Sequence, residues 1–182
     1  MDIGIIPGSF NPIHVGHKKV ASYLWSTHMM DEVIFVPSFA HPYGKKLLPF
    51  EYRYNMCLMT ADELNAERNT KRFRVSDVER RIGGTCNLTC DTVERLFTET
   101  GSQHRFFMAI GQDVFIDLPR WEGFDKLAHY VSFVAITRRT DGISSTLVRN
   151  RLRDGHPISD LVIESVECCL MSHAAEFIDH WG

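Results

Sequence analysis

An α/β fold, with a doubly wound, mostly parallel sheet and helices on both faces, is predicted by three observations. Strand-like and helix-like segments alternate from the first residues onward. Two strand candidates, Val33-Ile34-Phe35-Val36 and Phe107-Met108-Ala109-Ile110, are apolar at every position, as strands covered on both faces are. The chemically distinctive residues collect where strands end, which is the edge where open α/β sheets hold ligands.

Strands are predicted over 3–7, 33–37, 73–78, 105–111 and 130–137, each a short apolar run. Helices are predicted over 17–29, 50–64, 91–100, 145–153 and 161–179. The first is supported by Val20, Ala21, Leu24 and Trp25 on one stripe. The helix over 145–153 is supported by Leu147, Val148 and Leu152, with Ser and Thr at capping positions. Repeats, low-complexity tracts and Pro/Gly-rich linkers are absent, so residues 1–182 are expected to form one domain, with a helical C-terminal segment from about 159.

Composition narrows the class. A chain of 182 residues can bury a core without disulfides. No apolar run is long enough to span a membrane, and the chain opens directly on a strand. The net charge of −3 provides no broad basic face for nucleic acid. Five cysteines, Cys57, Cys86, Cys90, Cys168 and Cys169, lack zinc-finger pairing and are expected to be reduced thiols used in packing. A cytoplasmic setting follows as the expectation, and the sequence leaves room for a homo-oligomer.

Two segments carry the chemistry. Gly8-Ser9-Phe10-Asn11-Pro12-Ile13-His14-Val15-Gly16-His17 turns out of the first strand into the first helix, with His14 and His17 at its entrance on one face. A helix N-terminus with its partial positive charge suits phosphate, and two imidazoles add donors that can follow developing charge. Near the other end, Ile143-Ser144-Ser145-Thr146-Leu147-Val148-Arg149 opens another helix, with a permanent cation one turn in. Together, H-x-G-H and I-S-S-T-x-x-R resemble the nucleotidyltransferase superfamily, implying a Rossmann-like nucleotidyltransferase fold.

Further features narrow the resemblance. After the second strand comes a Pro/His/Lys loop, 37–46, with Lys45 and Lys46. Asn87-Leu88-Thr89-Cys90-Asp91-Thr92 opens a helix, either as a plain N-cap or as an anion cradle. Gly111-Gln112-Asp113 ends the fourth strand, Trp121 follows in a loop, and Arg138-Arg139 precedes the serine motif. In this order, from Ile3 to about Leu152, the chain resembles bacterial nicotinate mononucleotide adenylyltransferase. That family joins nicotinate mononucleotide to the adenylyl group of ATP, releasing deamido-NAD and pyrophosphate.

The resemblance implies a role for each position. His14, His17 and Arg149 would be catalytic. ATP would be bound by Gly8, Ser9, Phe10, His14, His17, Gly111, Asp113, Ile143, Ser144, Ser145 and Arg149, with Asp113 on a ribose. Lys45, Lys46 and Arg139 would meet the mononucleotide phosphate, Trp121 would stack on the pyridine, and the Leu88 and Thr89 amides would receive its carboxylate. Mg²⁺ would accompany ATP, held by phosphates rather than by protein side chains. The chain departs from the family at Asn11, usually Asp, and at Asn87-Leu88, usually Ser-Tyr. It also departs at residues 140–142, a short connection where a long loop and another strand are usual.

Two other readings stand beside this one. A pantetheine-phosphate adenylyltransferase or a cytidylyltransferase of the same superfamily would not need Trp121 or the 87–92 segment, because its acceptor has no aromatic cation to stack. A catalytically silent nucleotide-sensing module would have no use for intact His14, His17 and Arg149.

Overall fold

The computed structural model describes residues 1–27, 29–40, 44–84, 87–137 and 142–181. The chain runs through β1 (Asp2–Gly8), α1 (Val15–Thr27), β2 (Glu32–Pro37), α2 (Phe50–Arg68), β3 (Phe73–Val75), α3 (Val78–Ile82) and α4 (Thr89–Thr100). It continues through β4 (Arg105–Gly111), α5 (Gln112–Phe115), a 3₁₀ turn (Leu118–Arg120), α6 (Phe124–Tyr130) and β5 (Val131–Ile136). Three helices close it: α7 (Ser145–Arg153), α8 (Glu164–Ser172) and α9 (Ala174–Trp181).

The five strands form one sheet in the order β3-β2-β1-β4-β5, with every pair parallel. The chain moves outward from β1 through β2 to β3, then crosses back to place β4 on the other flank of β1. That reversal opens a crevice beyond the carboxyl ends of β1 and β4. Gly8 lies opposite Pro37, and Gly111 opposite Ile136, so the strands end together at this edge.

Period-two alternation builds a core on each face of the sheet. Ile6, Val33, Phe35 and Ala109 face one layer, where Leu24 of α1, Met56 of α2, Val148 of α7, Val166 of α8 and Phe177 of α9 are buried. Ile3, Ile5, Ile34, Val36, Met108 and Ile110 face the other, against Val78, Val93, Leu96 and Leu127. Val33 to Val36 are each 0% exposed, as a wholly apolar strand requires.

Several boundaries differ from the sequence reading. The strand predicted over 73–78 ends at Val75, because Asp77 leads into α3 and Val78 turns into the second core. The helix predicted over 161–179 divides into α8 and α9 at His173, and α8 begins only after an extended N-cap at Ile163. That break lets Phe177 pack on Tyr52, with ring centroids 4.8 Å apart. Cys57 and Cys90 pack in the cores, but Cys168 is exposed and does not. Cys86 lies outside the described residues. Among the described residues no helix is long and apolar enough to cross a membrane.

Candidate active site

The turn after β1 is shaped by its side chains. Phe10 takes a left-handed backbone conformation (φ 44°) and is buried, edge-on to His17 at 4.9 Å and to Phe35 at 5.8 Å. The His14 carbonyl accepts from the amides of His17 (2.9 Å) and Lys18 (3.3 Å), which starts α1. The His14 amide donates to His17 Nδ1 at 3.2 Å, and the two imidazoles stack with centroids 3.8 Å apart. With Nδ1 accepting, a neutral His17 carries its ring proton on Nε2. Gly16 is what permits this pairing: a Cβ there would lie 2.9 Å from two atoms of the His14 ring. The first amide of α1, that of Val15, is committed to the Leu161 carbonyl at 2.8 Å, so the helix entrance has fewer donors left for an anion than its position implied.

The serine motif meets that turn directly. Ser144 caps α7, its Oγ accepting from the Leu147 amide at 3.1 Å. Ser145 Oγ donates to the Pro12 carbonyl at 2.8 Å, and Arg149 Nη1 donates to the Asn11 carbonyl at 2.7 Å. Arg149 Nη2 reaches Thr146 Oγ1 at 3.1 Å. Ile143 lies beside Gly16, its Cγ2 4.0 Å from where a Cβ would stand. Residues more than 130 positions apart are thereby joined into one surface. Burial first, and then the Arg153 guanidinium, hold the Arg149 pKa below its usual value; a bound anion would oppose both effects. Lys18, next to His17, is spent elsewhere, bridging to Glu63 and to Glu67 (2.7 Å) on α2.

The remaining candidates surround the crevice. Asp113 is exposed in α5, directly beyond the last residue of β4. Trp121 follows the 3₁₀ turn, half-buried against the second core. Lys45 and Lys46 are exposed, and the Lys46 carbonyl accepts from Asn11 Nδ2 at 3.2 Å. Leu88 is the N-cap of α4, so helix geometry leaves the first amides of α4 without intrahelical acceptors. Asn87 is buried, and its NH₂ donates to the Glu79 carbonyl at 3.0 Å. Arg139 lies outside the described residues.

Three polar residues without a predicted role organise the site. Asn11 is buried; its Oδ1 accepts from the Leu48 amide (2.9 Å) and Trp181 Nε1 (3.3 Å). Arg53 is 1% exposed and donates to the carbonyls of Leu48 (2.8 Å), Ser9 (2.9 Å) and Ser38 (2.6 Å), tying together the turns that follow β1 and β2. Burial pushes its pKa down to about 10, so it stays charged near neutrality. Glu79 accepts from the Phe39 amide (2.9 Å) and Thr92 Oγ1 (3.3 Å), while burial pushes its carboxyl up. Arg53 had a readable signal, a charge in the buried stripe Phe50, Arg53, Met56, Cys57, Thr60, Leu64. Glu79 had none.

A cleft of about 480 Å³ lies away from this site. Its walls include Glu32, Arg74, Asp77, Arg81 and Glu99, which are engaged with one another in ion pairs.

A parallel sheet whose carboxyl edge carries paired imidazoles and a serine-capped helix with a guanidinium one turn in defines the nucleotidyltransferase class. Comparison with known proteins agrees. A family model described as cytidylyltransferase-like matches residues 5–151. A protein of Myxococcus xanthus named "Probable nicotinate-nucleotide adenylyltransferase" is 35% identical over 173 residues, spanning 89% of this chain and 87% of that one. A protein of the same name from Thermus thermophilus is 32% identical over 193 residues, spanning 95% and 98%. The solved Plasmodium falciparum nicotinic acid mononucleotide adenylyltransferase complexed with APC has the same fold, with a TM-score of 0.74 at 19% identity over 94% of this chain and 95% of that one. The chain belongs to the cytidylyltransferase-like family, among its nicotinate-nucleotide adenylyltransferases.

Proposed function

We propose that this chain transfers the adenylyl group of ATP to nicotinate mononucleotide, giving deamido-NAD and pyrophosphate, a step of NAD biosynthesis. The observation that carries this reading is the bonding of the H-x-G-H turn to the I-S-S-T-x-x-R helix, through Ser145 to Pro12 and Arg149 to Asn11. ATP enters as its Mg²⁺ complex. That cation is carried by the phosphates rather than by protein side chains. The acceptor is a phosphate monoester, ionised near neutrality with a second pKa of about 6, so its attack on the α-phosphorus needs no general base. Alignment and charge stabilisation then carry the rate. His14, His17, Ser145 and Arg149 line the phosphates, with Gly8, Ser9, Phe10, Ile143 and Ser144 shaping their bed. Gly111 and Asp113 hold the adenylyl ribose. Lys45, Lys46 and Arg139 meet the acceptor phosphate, and Trp121 stacks on the pyridine.

The α4 entrance selects the acid. Nicotinate has a carboxylate, whereas nicotinamide presents an NH₂ to the Leu88 and Thr89 amides, which are donors. Asn87 directs its NH₂ to the Glu79 carbonyl at 3.0 Å, and contact of its Oδ1 with the nicotinamide NH₂ would erode this preference. An unpaired amide group costs about 1–3 kcal/mol, or roughly a ten- to hundredfold preference in kcat/KM for nicotinate mononucleotide. We place the reaction in the cytoplasm, where thiols stay reduced. Pyrophosphate release from ATP, with nicotinate mononucleotide, nicotinamide mononucleotide and phosphopantetheine supplied separately, tests the reading. The first should be preferred over the second by that margin, and the third should be inert. Turnover of phosphopantetheine, or silence with all three while ATP still binds, would overturn it.

A further inference from the structure

The last helix lies beyond residues 5–151, the span of the family match, yet it returns to the phosphate turn. Phe177, 0% exposed, anchors α9 in the core against Tyr52. From that anchor Trp181 Nε1 donates to Asn11 Oδ1 at 3.3 Å, across 170 positions of sequence. The Arg149 guanidinium lies over the Trp181 ring, 5.9 Å from its centroid, at the outer limit of a cation–π contact. Asn11 completes the connection, because its carbonyl accepts from Arg149 Nη1 at 2.7 Å. One indole therefore meets both the cation of the serine motif and the residue on which that cation is fixed.

We propose that Trp181 is a positioning residue for adenylyl transfer, holding the Arg149 guanidinium in register with the phosphate turn. An arginine has a long, rotamer-rich stem, and ordering it costs free energy at the moment of reaction unless the fold has already done so. The indole face restrains the guanidinium plane on one side, and the indole N–H restrains Asn11, its hydrogen-bond acceptor. The cavity between α7 and α9, lined by Arg149, Asn150, Arg153, Ile178 and Trp181, is only about 170 Å³. That is below the roughly 300–1,000 Å³ of a ligand pocket, so these residues form a support for Arg149 and not a further substrate site.

The inference rests on the adenylyl-transfer reading, and the test separates the two. Steady-state kinetics would be measured for the full chain and for Trp181→Ala, Trp181→Phe, Trp181→Leu, Arg149→Lys and the double variant Arg149→Lys/Trp181→Ala. Trp181→Ala should lower kcat/KM for ATP about tenfold while KM for nicotinate mononucleotide stays within about twofold, and Trp181→Phe should recover most of the loss. The double variant should fall no more than about twofold below Arg149→Lys alone, because both changes act through one guanidinium. Losses that multiply, or a Trp181→Ala enzyme with wild-type kcat/KM for ATP, would overturn the proposal. Should Trp181→Ala fail to fold, Phe and Leu carry the comparison: Leu packs but has no ring face, and equal activity of the two overturns it. A wild-type chain inactive with nicotinate mononucleotide would instead sink the adenylyl-transfer reading. The coupling between Trp181 and Arg149 would then be read from ATP binding by calorimetry, where additive losses count against it.

Discussion

At the scale of single residues, the site is a set of short-range constraints that leave few conformations open. His17 is held by a backbone donor on Nδ1, a stacked imidazole and an aromatic edge, so its remaining ring donor is fixed before substrate arrives. Loss of such a preorganised donor typically costs about 10²-fold or more in kcat, and His17→Ala is expected to show this. A thermal melt should change little, since His17 lies at the rim of the core; an equal fall in stability and turnover, or near-normal kcat, would refute the role. Arg149 offers a planar fork to the Asn11 carbonyl and Thr146 hydroxyl. Arg149→Lys keeps the charge but loses the fork, so kcat and ATP affinity should both drop, and Arg149→Ala should drop further. Indifference to Arg149→Lys would reduce it to a distant point charge. The H-x-G-H pair was legible in sequence because its residue types are chemically loud. Asn11 and Trp181 were not, because their importance lies in bonds to groups 37 and 170 positions away, whereas Arg53 showed only as a charge in a buried stripe.

At the scale of elements, polar residues join helices to one another. Two positions of the 87–92 motif, Asn87 and Thr92, converge on the buried Glu79 and fasten α3 to α4. An interaction between helices that are not yet placed cannot be read from residue spacing, and so this segment read equally well as a cap or a cradle. Arg81 adds an outer tie, donating to Asp77 Oδ1 at 2.8 Å and to both oxygens of Glu99. Its guanidinium is the main cause that holds both carboxyls below their usual values. Such groups bind fewer protons folded than unfolded. Their contribution is complete above the unfolded carboxylate range near pH 4 and is lost as pH falls through the lower folded values. The pairs are partly exposed, so Arg81→Met should cost only about 0.5–1 kcal/mol near neutrality. Urea melts of the two proteins should differ by that amount at pH 6 and converge toward pH 3; a difference that persists at pH 3 would mean Arg81 stabilises by packing. Helix ends followed the same rule of legibility. Ser144 announced the start of α7 by its own capping side chain, whereas the break between α8 and α9 depends on where Phe177 finds its pocket.

At the scale of the whole molecule, strand order turns a linear motif list into a site. Placing β4 beside β1 brings Gly111 and Asp113 to the same edge as Gly8 and His14, and α7 closes over that edge from the far end of the chain. The fold class was legible because apolar strands and alternating helices specify a parallel sheet almost by themselves. The convergence of the H-x-G-H and I-S-S-T-x-x-R segments was legible only through resemblance, since spacing says nothing about contacts between residues 12 and 145. ATP labelled at its α-phosphorus tests the transfer of an adenylyl group to nicotinate mononucleotide. With nicotinate mononucleotide and Mg²⁺ present, the label should pass into deamido-NAD while the released pyrophosphate stays unlabelled. Label that remains in ATP at saturating substrate with the chain folded, or that appears in a product formed without the mononucleotide, would contradict the account.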